Sequence, residues 1–122
     1  MQINDYTTKK IINCAMTVHR YFGSGYLERV YQNAFSHELL INGFTAQTEK
    51  SIKVYYHNII VGYYKADILI DNSIVIEIKY VDKIIFPHIR QVKNYLKSTK
   101  LHTGFIFNFN SQMLDFKRIY SN

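Results

Sequence analysis

KADILIDNSIVIEIKY, residues 65–80, decides the fold. Two runs rich in Ile, Leu and Val flank the polar Asp71-Asn72-Ser73, which is the pattern of a buried β-hairpin. Yet Asp67, Glu77 and Lys79 stand inside those runs. A turn centred on Asn72 pairs Ile70 with Ile74, Leu69 with Val75 and Asp67 with Glu77. Strand side chains alternate, so Lys79, two residues beyond Glu77, projects from the face that carries both carboxylates. Two carboxylates about 5 Å apart repel by roughly 3 kcal/mol at an effective dielectric near 20, whereas a good cross-strand pair contributes only about 0.2–1 kcal/mol. Three arrangements offset that repulsion: Lys79 neutralises one carboxylate, one carboxylate keeps its proton, or a divalent cation binds between them. Magnesium suits the third, because it takes one or two carboxylates and keeps several waters. The plain alternative is a hairpin whose charges point to solvent, with Lys79 in ordinary cross-strand salt bridges.

Outward from the hairpin, the periodicity predicts the remaining elements. Ile11, Ala15, Val18 and Phe22 recur at helical spacing, giving a helix over Tyr6–Tyr21 that Gly23-Ser24-Gly25 ends. A second helix covers Tyr26–Ile41 with Tyr31, Phe35 and Leu39 inward, and Asn42-Gly43 stops it. Strands are expected at Ser51–Tyr56, Ile59–Ile70 and Ile74–Tyr80, with turns at His57-Asn58 and Asp71-Asn72-Ser73. Pro87 opens a third helix over Pro87–Ser98, and strands at Thr103–Phe109 and Met113–Tyr120 close the chain. The order ααβββαββ is that of an α+β or mixed α/β layer fold.

A chain of 122 residues, 48% of them hydrophobic, supports one compact domain over 1–122 with a real core. No apolar run approaches a membrane span, and the first residues lack the basic start, apolar block and cleavage site of a signal peptide, so a cytoplasmic protein with no membrane association is expected. The lone Cys14 excludes an internal disulfide and a thiolate-rich metal site, and reads as core filler. A formal charge of +6 favours polyanionic partners such as nucleic acid. Arg90, Lys93, Lys97 and Lys100 form a basic stripe along the third helix that could track phosphates, although such stripes are commonly solvated faces. Gln91 and Tyr95 are neighbours on another face, a spacing that an amide satisfying a phenol would also produce. Glu28 sits near the start of the second helix, where the helix dipole favours a carboxylate by about 0.3–1 kcal/mol, on the side that also carries Tyr31 and Phe35.

Asp67 with Glu77-Ile78-Lys79 resembles the active-site signature of the PD-(D/E)XK nuclease superfamily, with Ala66 where the name has proline. Gly25-Tyr26-Leu27-Glu28-Arg29-Val30-Tyr31 is similar to the defining motif of the GxxExxY family, a small branch of that superfamily. The likeness runs from about Phe22 to Tyr120 through KADILI, IVIEIKY, HIRQVKNYLK and GFIFNF, and departs at His57-Asn58, where a glycine is expected. It implies a restriction-endonuclease-like core, with a mixed five-stranded sheet flanked by helices. It further implies a metal-dependent nuclease that hydrolyses phosphodiester bonds of DNA with Mg2+, or Mn2+ in its place. Asp67, Glu77 and Glu28 would be metal ligands, and Lys79 would orient or deprotonate the attacking water. Gln91 and Tyr95 match a Gln-x-x-x-Tyr motif that completes the site in a subset of the superfamily. The rival from another class is a catalytically silent nuclease fold that holds nucleic acid or a protein partner. Assembly as a homodimer is left open.

Overall fold

The computed structural model describes residues 4–121. Helix α1 (Asp5–Phe22) starts where the Asn4 side chain accepts the Thr7 N–H at 2.8 Å and stops at Gly23, whose φ of 67° ends it. Helix α2 (Glu28–Ile41) begins two residues later than the spacing predicts, because Gly25 turns the chain at φ 110°, a conformation that side chains resist. Tyr31 then ties this turn to the helix. Its buried hydroxyl donates to the Gly23 carbonyl at 2.5 Å and accepts the Tyr26 N–H at 3.3 Å. Ile11, Ala15, Val18, Tyr31, Phe35 and Leu39 make the buried faces of the two helices.

The strands are β1 (Ala46–Tyr56), β2 (Ile59–Ile70), β3 (Ile74–Lys79), β4 (Thr103–Asn108) and β5 (Asp115–Tyr120). They form a single five-stranded sheet in the order β1-β2-β3-β4-β5. Helix α3 (Phe86–Thr99) links β3 to β4 as a crossover, so that pair is parallel while the other three pairs are antiparallel. The element order is ααβββαββ, an α+β arrangement with helices on both faces of a mixed sheet. Strand β1 extends back to Ala46, ahead of the expected start at Ser51, because residues 46–50 pair with the inner end of β2. Strand β5 begins at Asp115, later than the expected Met113.

Two apolar clusters sit on opposite faces of the sheet. One packs Ile68, Ile70, Ile76, Ile78, Phe105 and Phe107 under α1 and α2. The other joins Tyr64, Ala66, Leu69, Val75 and Ile106 to Val92 and Leu96 of α3. Strand β4, between them, is buried at every residue, as its uninterrupted apolar pattern requires. The α3 layer lies so close that a Cβ on Gly104 would meet Val92 Cγ1 at 3.1 Å and the Val75 carbonyl oxygen at 3.3 Å. No helix among the described residues is long and apolar enough to cross a membrane.

Candidate active site

The hairpin register is the one that the Asn72 turn dictates: Ile70 faces Ile74, Leu69 faces Val75 and Ile68 faces Ile76. Asp71 and Asn72 both adopt positive φ, 51° and 55°, the left-handed pair that a tight two-strand turn needs and that these side chains tolerate. Regular pairing ends at Ile68 and Ile76, one step before the carboxylates. From there Asp67 substitutes its side chain for the ladder, with Oδ2 accepting the Ile78 N–H at 2.7 Å.

The same level of the sheet is interrupted on the other side of β2. Thr48 pairs with Ile68 and Lys50 with Ala66, but Glu49, which lies opposite Asp67, makes no ladder pair and has φ 53°. Both strands change face there. Ala46, Ile68 and Ile70 pack toward α1 and α2, whereas Ile52, Val54, Tyr64 and Ala66 pack toward α3. Unbroken alternation would put all of these even-numbered residues on one side. The interruption therefore gives the α3 face Leu69 and Val75 beyond it and Tyr64 and Ala66 before it.

Tyr64 is the consequence that sequence alternation hides. Its buried hydroxyl donates to Glu77 Oε1, and its ring stacks on Tyr95 with centroids 4.3 Å apart and planes 11° apart. One oxygen of each carboxylate is held by a protein donor, while Asp67 Oδ1 and Glu77 Oε2 accept no side-chain hydrogen bond among the described residues. Both groups titrate high. Burial raises Asp67, against the pull of the Ile78 N–H and Lys79. Burial and the neighbouring Asp67 charge push Glu77 up to about 7, against the opposing effects of the Tyr64 hydroxyl, Lys79 and the Asp67 backbone N–H. Lys79 acts on both through its charge but forms no ion pair with either, so the ordinary cross-strand salt bridge is not what offsets the repulsion.

The end of β3 is fixed from β4. Lys79 lies beside Asn108 in the parallel register, and its carbonyl accepts the Phe109 N–H at 3.1 Å. The fully buried Asn108 side chain accepts the Val81 N–H at 3.1 Å and donates to the Val81 carbonyl at 2.9 Å, which locks the exit from the strand two residues past Lys79.

The other residues singled out in the sequence are distributed differently. Glu28 is exposed, and among the described residues its carboxylate makes no hydrogen bond or ion pair and forms no three-residue metal-binding group with Asp67 and Glu77. It is the first residue of α2, ahead of the turn in which Tyr31 begins the buried face, and a carboxylate there suits the helix dipole. No group of three or more His, Cys, Asp or Glu side chains converges as a metal site among the described residues. Gln91 is exposed and is not hydrogen-bonded to Tyr95, so the amide does not satisfy the phenol. Both line an open groove of about 610 Å³ with His88, Arg90 and Asn94. His88 itself serves the helix, its Nδ1 accepting the Ile85 N–H at 3.1 Å. The basic stripe divides. Arg90 belongs to the Gln91–Tyr95 groove, with its guanidinium 4.7 Å from the Phe86 ring centroid, while Lys93, Lys97 and Lys100 line a second groove of about 550 Å³ with His102. Glu49, missed in the sequence, is held by Arg29 at 2.9 Å, Gln32 at 3.4 Å and Lys65 at 3.6 Å, and these partners, Gln32 first, keep its carboxyl below the usual range.

A mixed five-stranded sheet between helical layers, with a carboxylate pair where β2 and β3 stop pairing and a lysine two residues on, defines a restriction-endonuclease-like fold. The chain belongs to the PD-(D/E)XK nuclease superfamily, whose model matches residues 5–119. Among solved structures it resembles that of an alkaline exonuclease (LHK-Exo) from Laribacter hongkongensis, with a TM-score of 0.56 and 15% identity over 100% of this chain and 73% of that one. It also resembles the crystal structure of SSO0001, with a TM-score of 0.53 and 19% identity over 90% of this chain and 66% of that one. At these identities the likeness concerns the fold. No curated protein matches the sequence.

Proposed function

We propose that this protein is a divalent-metal-dependent nuclease of the GxxExxY branch that hydrolyses phosphodiester bonds of DNA. The observation that carries this reading is the pair Asp67 and Glu77: both are pushed toward protonation, and each has one oxygen fixed by a protein donor and one without a side-chain donor among the described residues. Those two oxygens fit a hard cation that takes one or two carboxylates and completes its shell with water, as Mg2+ and Mn2+ do. An ion held there supplies polarisation of the scissile phosphate and acidification of the attacking water. The remaining work belongs to the chain. Asp67 and Glu77 hold the ion at the level where β2 and β3 part, and Lys79 orients the water and stabilises charge on the phosphate. Arg90, Lys93, Lys97 and Lys100, along α3, face phosphates farther along the strand, consistent with the formal charge of +6. Gly25 and Tyr31 of the GxxExxY motif support the branch assignment through the turn that they build.

Calorimetric titration with Mg2+ and Mn2+, followed by incubation with supercoiled plasmid and single-stranded DNA, tests the reading. Metal-dependent cleavage that Glu77→Gln abolishes is the expected result. Metal binding without cleavage of either substrate would favour a silent nuclease fold, and no binding at millimolar concentration would overturn the metal site.

A further inference from the structure

We infer that Tyr64 positions Glu77 for its cation, and that Tyr95 works through its ring by bracing Tyr64 and not through its hydroxyl. The inference rests on the proposed metal site but concerns Tyr64, which the motif pattern does not assign, and the way in which Tyr95 acts. Tyr64 is 8% exposed, and among the described residues its hydroxyl has one partner, Glu77 Oε1. A buried phenol needs such a partner, so the bond fixes the carboxylate's rotation as much as it satisfies the tyrosine. With Oε1 occupied by the tyrosine, Oε2 is the Glu77 oxygen without a side-chain donor, while the Ile78 N–H leaves Oδ1 so for Asp67 by holding Oδ2. Two donors on the two carboxylates thus select which oxygens are offered.

Tyr95 contributes differently. Its hydroxyl makes no hydrogen bond among the described residues, and its ring lies nearly parallel to Tyr64 at 4.3 Å between centroids. Across β1, Ile52 is the register partner of Tyr64 and packs in the same cluster. The Tyr64 ring therefore has little freedom to swing its hydroxyl away from Glu77. The relation between the two tyrosines depends on the change of face at Glu49 and Asp67, without which Tyr64 would lie on the opposite side of the sheet from Asp67 and Glu77.

Groups that orient a metal-binding carboxylate change metal affinity by about 10- to 100-fold when removed. The test measures Mn2+ dissociation constants for the full chain by electron paramagnetic resonance, with the melting temperature of each metal-free variant as a folding control. Tyr64→Phe should weaken Mn2+ binding by about 10-fold or more while the metal-free protein remains folded. Tyr95→Leu should weaken it several-fold, and Tyr95→Phe, which restores the ring without the hydroxyl, should recover most of that loss. The Tyr95 pair keeps the inference open to refutation even if Tyr64→Phe does not fold. Glu77→Gln is the reference: if it binds Mn2+ as tightly as wild type, the metal-site reading itself fails. If Glu77→Gln loses affinity but Tyr64→Phe does not, the positioning role alone fails. Equal losses in Tyr95→Phe and Tyr95→Leu would overturn the ring assignment and return the role to the hydroxyl.

Discussion

Glu77→Gln in metal-free protein measures how much the site costs the fold. Burial and the Asp67 charge bring the Glu77 carboxyl from an ordinary 4.5 to about 7. A group that titrates higher in the folded than in the unfolded chain retains its proton preferentially when folded. Its contribution is therefore complete below the unfolded value and is lost as pH rises through the folded one. Between about pH 5 and pH 8.5 the wild type should lose roughly 2–3 kcal/mol on this account. Glutamine cannot ionise, yet its amide oxygen still accepts the Tyr64 hydroxyl, so the variant should escape the loss. At about 2.1 cal/mol/K of unfolding entropy per residue, a chain of 122 residues shifts its melting point by about 4 °C per kcal/mol. The melting advantage of Glu77→Gln over wild type should accordingly widen by about 10 °C from pH 5 to pH 8.5, by scanning calorimetry in chelator. Mg2+ or Mn2+ at about 100 times its dissociation constant should then return about 2.7 kcal/mol to the wild type and much less to the variant. An advantage that does not change with pH would refute a buried, repelled carboxylate at position 77.

Lys79→Ala should retain Mn2+ binding at wild-type strength or tighter, since a competing positive charge is removed, while cleavage of plasmid falls by about 100-fold or more. Loss of both properties together would make Lys79 a structural residue. Lys93→Ala with Lys97→Ala should weaken DNA binding without regard to sequence and flatten the dependence of log affinity on log salt by about 0.9 for each phosphate contact removed, read by fluorescence anisotropy. An unchanged slope would show those lysines facing solvent. Gly104→Ala should destabilise the fold by about 1–3 kcal/mol in urea unfolding, because its Cβ would press on Val92 and the Val75 carbonyl. Ready acceptance of alanine would mean that α3 moves off the sheet easily.

What the sequence disclosed and what it concealed divide along one line. The hairpin register, the burial of the strand at residues 103–108 and the helix stripes follow from local periodicity and from turn residues such as Asp71 and Asn72, so they are legible. Glu28 shares a helical side with Tyr31 and Phe35, which predicts an inward position, but as the first residue of α2, directly after the turn at Gly25, it is exposed. Tyr64 and Glu49 were invisible for a deeper reason. Alternation assigns Tyr64 to the face opposite Asp67, and only the paired interruption of β1 and β2 reverses that assignment. The interruption is not free: a left-handed backbone at a residue such as Glu49 costs about 1–2 kcal/mol, and the Glu49–Asp67 ladder pair is forfeited as well. Its location gives the cost a use. It falls on the strand position facing Asp67, where it turns Asp67 out of the ladder and brings Tyr64 round to Glu77, so the strain in β1 and the arrangement of the carboxylates in β2 and β3 are parts of one feature.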